Sequence, residues 1–229
     1  MKKIITSLCL GFMLIVMAVS SSKASVFYVL DGDSFTLTPV IPGGTVLSQF
    51  LWTLEGTATE TITTAGGIYT HIFHNTSGSA AQSYKLSFGV VDQVTSCVSS
   101  ILDHTIIVLP KLTVAITTPD GKENFCDQLA FATQLTASVT VTGLGAFDVT
   151  LSPFAWKKGT VDVTGTDTGT SSVLDVNAAG TYSAIVSYVL PTTGNFIPTA
   201  TKILNAITGA TKTINNNLPL PVVPTLTLN

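Results

Sequence analysis

Leu135-Thr136-Ala137-Ser138-Val139-Thr140-Val141-Thr142 alternates apolar and hydroxyl side chains, with Ala137 and Ser138 the smallest of each kind. A period of two sends successive side chains to opposite faces of an extended strand, one face buried and the other wetted. Phe35-Thr36-Leu37-Thr38 and Leu112-Thr113-Val114-Ala115-Ile116-Thr117 keep the same period. Thr occurs 37 times in 229 residues. Its branched side chain loses rotamer freedom in a helix but packs well on a pleated surface. Beyond the N-terminal region no long stretch holds a helical period, so the chain is expected to be all-β.

A longer pattern sets the number of folding units. Phe50-Leu51-Trp52 followed by Gly56-Thr57 returns as Phe154-Ala155-Trp156 followed by Gly159-Thr160. Ala80-Ala81-Gln82-Ser83-Tyr84 returns as Ala178-Ala179-Gly180-Thr181-Tyr182. Such self-similarity marks an internal duplication. In the first copy, strands are expected near 26–30, 34–40, 47–54, 59–63, 69–74, 83–91 and 105–109. Turn chemistry separates them at Asp31-Gly32-Asp33, Pro42-Gly43-Gly44, Gly66-Gly67 and Asn75-Thr76-Ser77-Gly78. The second copy repeats the plan near 112–117, 129–141, 147–156, 160–163, 172–176, 182–190 and 200–207. Seven short strands at this spacing suit a sandwich of two antiparallel sheets. The copies meet at Leu109-Pro110-Lys111, too short a link for a loose pair.

The N-terminus reads as a secretion signal over residues 1–24. Lys2 and Lys3 precede an apolar run from Ile4 to Val19, and Ser22-Lys23-Ala24 offers small residues at a cleavage site. The run is shorter than the roughly 20 residues that span a bilayer, so cleavage, and no membrane span after it, is expected. Cys9 lies inside the run rather than at its end, which disfavours a lipoprotein. Export leaves seven Lys, no Arg and 13 acidic residues, a net charge of −6. Nucleic acid and polybasic membrane contacts are therefore not expected. The expected location is outside the cell, on its surface or in the periplasm of a bacterium.

A Trp-bearing strand, then Gly-Thr, then Gly-Thr-Tyr opening an alternating strand resembles the PKD-like and Ig-like repeats of secreted bacterial surface proteins. Tyr84 to Val91 with Asp92, Cys97 and Ser99-Ser100, running into Thr105-Ile106-Ile107-Val108-Leu109-Pro110, is similar to the end of such a repeat. The likeness covers most of residues 26–207. It implies two tandem Ig-like antiparallel β-sandwiches, at 25–110 and 111–217, with a C-terminal tail or strand over 218–229. It further implies an adhesion, spacing or recognition role without catalytic residues or cofactor. That family often carries one Cys ahead of its second strand and another after the Tyr-bearing strand. Here the first copy has only Cys97 and the second only Cys126, so a bridge within either sandwich is lost.

Other residues offer two readings each. Trp52 and Trp156 are either core anchors or, with Phe50 and Phe154 on the same face, platforms for sugar rings. Cys97 and Cys126 either bridge, remain thiols, or cross-link two chains. His71 and His74, three apart on a strand, point to opposite faces, and His104 stands alone beside Asp103; no metal is expected of them. Asp31-Gly32-Asp33 and the Asp162/Asp167 region read as turns before calcium loops. Asn75-Thr76-Ser77 fits a glycosylation sequon but is taken as a hairpin turn. Val223-Pro224-Thr225-Leu226-Thr227-Leu228 faintly echoes Leu109-Pro110-Lys111-Leu112-Thr113-Val114. Leu226 and Leu228 therefore belong either to a terminal strand or to a strand lent to another subunit, after a solvated Asn215-Asn216-Asn217 link. The functional expectation is a cell-surface structural or adhesion protein that binds surface proteins or itself, with a carbohydrate-binding module as the alternative.

Overall fold

The computed structural model describes residues 24–40, 48–56, 60–62, 66–94, 96–119, 121–127, 129–192, 195–196 and 211–222. The first half supplies β1 (Val26–Leu30), β2 (Ser34–Leu37), β3 (Ser48–Leu54), β4 (Glu60–Ile62), β5 (Tyr69–Ile72), β6 (Gln82–Asp92) and β7 (Leu102–Leu109). β2 pairs with β5, and β1, β7, β6, β3 and β4 lie side by side in the facing sheet.

The second half opens with β8 (Val114–Thr117), β9 (Asn124–Cys126), β10 (Thr133–Val139), β11 (Thr150–Leu151), β12 (Ala155–Lys158) and β13 (Val161–Val163). It continues with β14 (Thr166–Asp167), β15 (Ser171–Val176), β16 (Gly180–Ile185), β17 (Tyr188–Val189), β18 (Asn195–Phe196) and β19 (Thr211–Leu218). One sheet has the order β14-β15-β10-β8, and the other β13-β12-β16-β19-β9. These two sheets have the strand order of an immunoglobulin sandwich. The chain is all-β, two Ig-like sandwiches in tandem.

The alternating stretches fold as their period dictates. In β10, Thr133, Leu135, Ala137 and Val139 are buried while Gln134 is exposed, and Leu135 sits opposite Leu174 of β15. Four local expectations are corrected. β1 and β9 run parallel to β7 and β19, so the sheets are not wholly antiparallel. The run 147–156 is broken into a 3-10 turn at Leu144–Phe147, then β11, then β12. Pro153 stands in the break, where it has no N–H to give to a ladder. The run 182–190 divides into β16 and β17.

The fourth correction concerns Asn215-Asn216-Asn217, which are strand rather than solvated link. Thr211 to Ile214 pair with β16, and Asn215, Asn216 and Leu218 pair with β9. Ile214 is buried in the core, Asn215 Nδ2 donates to Asn124 Oδ1 at 2.9 Å, and Lys212 pairs with Glu123. Pairing and one buried anchor outweigh the poor strand preference of Asn. The strand expected at 200–207, the leader, and Leu226 and Leu228 lie outside the described residues.

The buried side chains form two clusters. One gathers Val29, Phe35, Phe50, Trp52, Tyr69, Phe73 and Leu86 of the first half with Ile106 and Val108. The other fills the second half around Leu135, Trp156, Leu174 and Tyr188, and it also takes in Tyr28, Ile107 and Leu109. The second core thus runs through the joint into the first sandwich.

Candidate functional site

The joint between the sandwiches is built from backbone and hydroxyl contacts as well as from apolar packing. Tyr188 Oη donates to Pro110 O at 2.7 Å, and Tyr28 Oη donates to Phe147 O at 3.3 Å. Burial raises the hydroxyl pKa of both, with the Asp148 charge adding a smaller push at Tyr28. Both therefore remain protonated donors at neutral pH. Ala81 N donates to Thr142 O at 3.1 Å, and Thr142 N donates to Ser79 O at 2.9 Å. The joint also carries a strand: β18, from the segment after β17, pairs parallel with the outer edge of β1. These contacts were not foreseen from sequence. The only available signal was length, because the segment from β17 to β19 in the second half far exceeds that from β6 to β7 in the first.

Trp52 and Trp156 sit inside their sandwiches, 2% and 1% exposed, so no ring face is open to a sugar. Trp52 Nε1 donates to Gly67 O at 3.1 Å and its ring stacks on Tyr69, with centroids 5.0 Å apart. Trp156 Nε1 donates to Ser172 Oγ at 2.8 Å. The platform reading is corrected on this burial. A glycine clears space beside each aromatic pair: a Cβ on Gly67 would lie 2.1 Å from the Phe50 ring, and one on Gly165 2.6 Å from Trp156. The repeated tyrosines lock the turns before their strands. Tyr182 Oη donates to Ala178 O at 2.6 Å, and Tyr84 Oη donates to His74 O at 3.1 Å.

Neither Cys97 nor Cys126 is in a disulfide. Cys97 lies in the hairpin between β6 and β7, at the free end of the first sandwich; Cys126 closes β9, at the free end of the second. β6 runs from Gln82 beside Val108 at the joint to Asp92 at the far end, about 3.4 Å per residue, and the second sandwich lies beyond the joint. A bridge needs Cα atoms within roughly 7 Å, so the bridge within one chain is excluded by position. The hairpin after β6 and the end of the parallel strand also lie at opposite ends of a single sandwich. The Cys pair implied by the family resemblance is therefore not placed to close inside one.

The remaining polar candidates are occupied locally. His104 is half-buried against Phe27, with Nδ1 accepting from Ser25 N at 3.3 Å. Burial lowers its pKa against a smaller opposing pull from Asp103. His71 packs edge-on to Phe73, and His74 lies on the surface 3.8 Å from Asp31. Asp31 Oδ1 accepts from Asn75 N, Asp162 pairs with Lys157, and Asp167 Oδ2 accepts from Phe154 N. Asn75 Oδ1 accepts from Ser77 N and its Nδ2 donates to Ala80 O, the bonding of a turn. No cluster of three metal-ligating side chains and no membrane-length apolar helix occurs among the described residues.

Two surfaces are left without such partners. The free end of the first sandwich exposes Val40, Val94, Val98 and Ile101, and the free end of the second exposes Leu129, Leu218, Leu220 and Val222. A groove of about 400 Å³ also lies beside the second end, lined by Thr133, Gln134, Asp175 and Asn177. In it Gln134 Nε2 donates to Asp175 Oδ1 at 2.9 Å, and Thr133 Oγ1 is buried with no partner.

No family model and no curated protein matches the chain. Among solved structures it is similar to the Clostridium thermocellum CbhA fibronectin(III)-like modules, at 12% identity and a TM-score of 0.40, over 92% of this chain and 98% of that one. It is similar to the ICAM-5 D1-D4 ectodomain fragment at 10% identity and a TM-score of 0.34, over 86% of this chain and 53% of that one. It is also similar to a Bacteroides ovatus surface protein, SGBP-B of a mixed-linkage glucan utilization locus, solved with a mixed-linkage heptasaccharide. There the identity is 12% and the TM-score 0.29, over 87% of this chain and 46% of that one. The chain spans about half the length of the last two. The architecture rests on the strand order.

Proposed function

We propose that the chain is an exported, non-enzymatic structural or adhesion protein of a cell surface. Its modules at 25–110 and 111–217 are held in line, and binding is through loops at their ends. The observation that carries this reading is the free end of the first sandwich. Val40, Val94, Val98 and Ile101 are each exposed on the first sandwich, whose opposite end is packed into the joint. Apolar loops on a rigid scaffold are a common form of protein contact surface. The test is binding of the purified protein to the surface of the producing cells. Val94→Asp with Ile101→Asp should lower it at least tenfold with unchanged circular dichroism and melting. Undiminished binding by that variant sinks the reading.

The polar groove favours a second reading as a carbohydrate module. Gln134, Asp175 and Asn177 offer donors and acceptors suited to sugar hydroxyls. Calorimetric titration with oligosaccharides, repeated on Asp175→Ala, decides it; no heat with any sugar removes it.

A further inference from the structure

We infer that the chain associates head to tail with further copies of itself, the free end of the second sandwich receiving the free end of the first. The inference rests on the structural reading above and names its partner. The geometry of the internal joint supplies the argument, because each free end has a counterpart already docked inside the chain.

The receiving end comes first. β7 and β19 each end on Leu-Pro, as Leu109-Pro110 and Leu218-Pro219. Each pairs with a parallel strand, β1 or β9, that is followed at once by Asp. Asp31 N donates to Leu109 O at 2.9 Å, and Asp127 N donates to Leu218 O at 2.8 Å. The two sandwiches thus finish in the same way. In the first, this end is covered: Leu109 is buried in the core of the second sandwich. In the second, the described residues at this end are exposed, Leu218 at 43% and Val222 at 93%.

The inserted end matches in the same manner. The second sandwich docks through Thr142 and Phe147, after β10, and through Tyr188 and β18. Counted from the repeated tyrosines, Asn195 stands thirteen residues after Tyr182 and Cys97 thirteen after Tyr84. In the first sandwich this segment forms a hairpin that leaves Val94, Val98 and Ile101 exposed. Asn195 lies along β1, whose counterpart in the second sandwich is β9. Head-to-tail docking therefore brings the segment bearing Cys97 of one copy alongside the strand bearing Cys126 of the next. A head and a tail are different surfaces, so the contact is heterologous and does not terminate at a dimer.

The experiment uses full-length protein carrying Cys9→Ser, followed by light scattering across a concentration series and by a short bis-maleimide cross-linker. The expected result is mass that rises with concentration and a ladder of cross-linked multimers. Val94→Asp/Ile101→Asp at the head, or Leu220→Asp/Val222→Asp at the tail, should each stop growth, and a mixture of the two should give dimers and nothing larger. Cys97→Ser and Cys126→Ser should each abolish the ladder, and their mixture should restore one dimer band. All the apolar positions altered are exposed, and unchanged circular dichroism verifies folding. A monomer at every concentration overturns the inference, as does a ladder that persists in Cys97→Ser alone. If the protein is monomeric yet binds cells through the hairpin, only this inference falls. If it does neither, the structural reading falls with it.

Discussion

Trp156 donates its indole N–H to Ser172 Oγ in a core where neither side chain reaches solvent. Trp156→Phe leaves that hydroxyl short of a donor and opens a small cavity, so it should cost about 2–4 kcal/mol in urea unfolding. Ser172→Ala alone should cost about 1 kcal/mol, and the double variant should cost less than the sum, because the two changes remove one shared bond. His104 gives a pH dependence of definite sign. Its native pKa is held below the ordinary value by burial, and its Nδ1 accepts the Ser25 N–H only while neutral. Below about pH 6.5 the unfolded chain takes up this proton more readily than the native one. The stability from a neutral His104 is intact above that pH and drains away as pH falls through the native value. His104→Gln should flatten the stability profile between pH 7 and 5, and an unaltered profile would assign the slope to other groups.

Strands and their turns obey the same physics one level up. Gly165 is tight: its added Cβ would meet Trp156 at 2.6 Å and Val173 O at 2.9 Å, so Gly165→Ala should lose about 1–3 kcal/mol. Gly159 has open space but a φ of +60°, so Gly159→Ala should cost only about 1 kcal/mol, from backbone strain alone. Thermal melts of the pair separate packing from conformation. At this scale the sequence was readable where side-chain period and burial coincide. Leu135 to Val139 alternates and folds as written, and Phe50/Trp52 and Phe154/Trp156 mark the same core strand twice. It was unreadable where pairing alone decides. Nothing in Asn215-Asn216-Asn217 announces a strand, because what fixes it there is the edge of β9, some ninety residues earlier. β18 is two residues long and owes its existence to β1, so no local signal could have found it. The exposed ends were illegible for a related reason, since exposure depends on what the joint leaves uncovered.

Across the whole molecule, the shared core implies that the two sandwiches unfold together. Tyr28, Ile107 and Leu109 belong to the first half by chain order but are buried with the second. Tyr188→Phe should remove only the bond to Pro110 O, about 1 kcal/mol. Tyr188→Ala should uncouple the halves, so that one calorimetric transition becomes two; a single transition in that variant would locate the coupling elsewhere. The order of strands in the second sandwich has a further consequence in time. β19 is the last of the described strands, yet it lies between β16 and β9, and among those strands β9 has no other neighbour in its sheet. During synthesis, β9 must wait unpaired until β19 emerges. β1 likewise keeps its outer edge open until β18 arrives to cover it. The first sandwich thus finishes early with one raw edge, and the second does not close until β19 has emerged. A delay before β18 and β19 emerge would hold both edges open to neighbouring chains, which makes the pairing of β19 the moment at which misassembly ends.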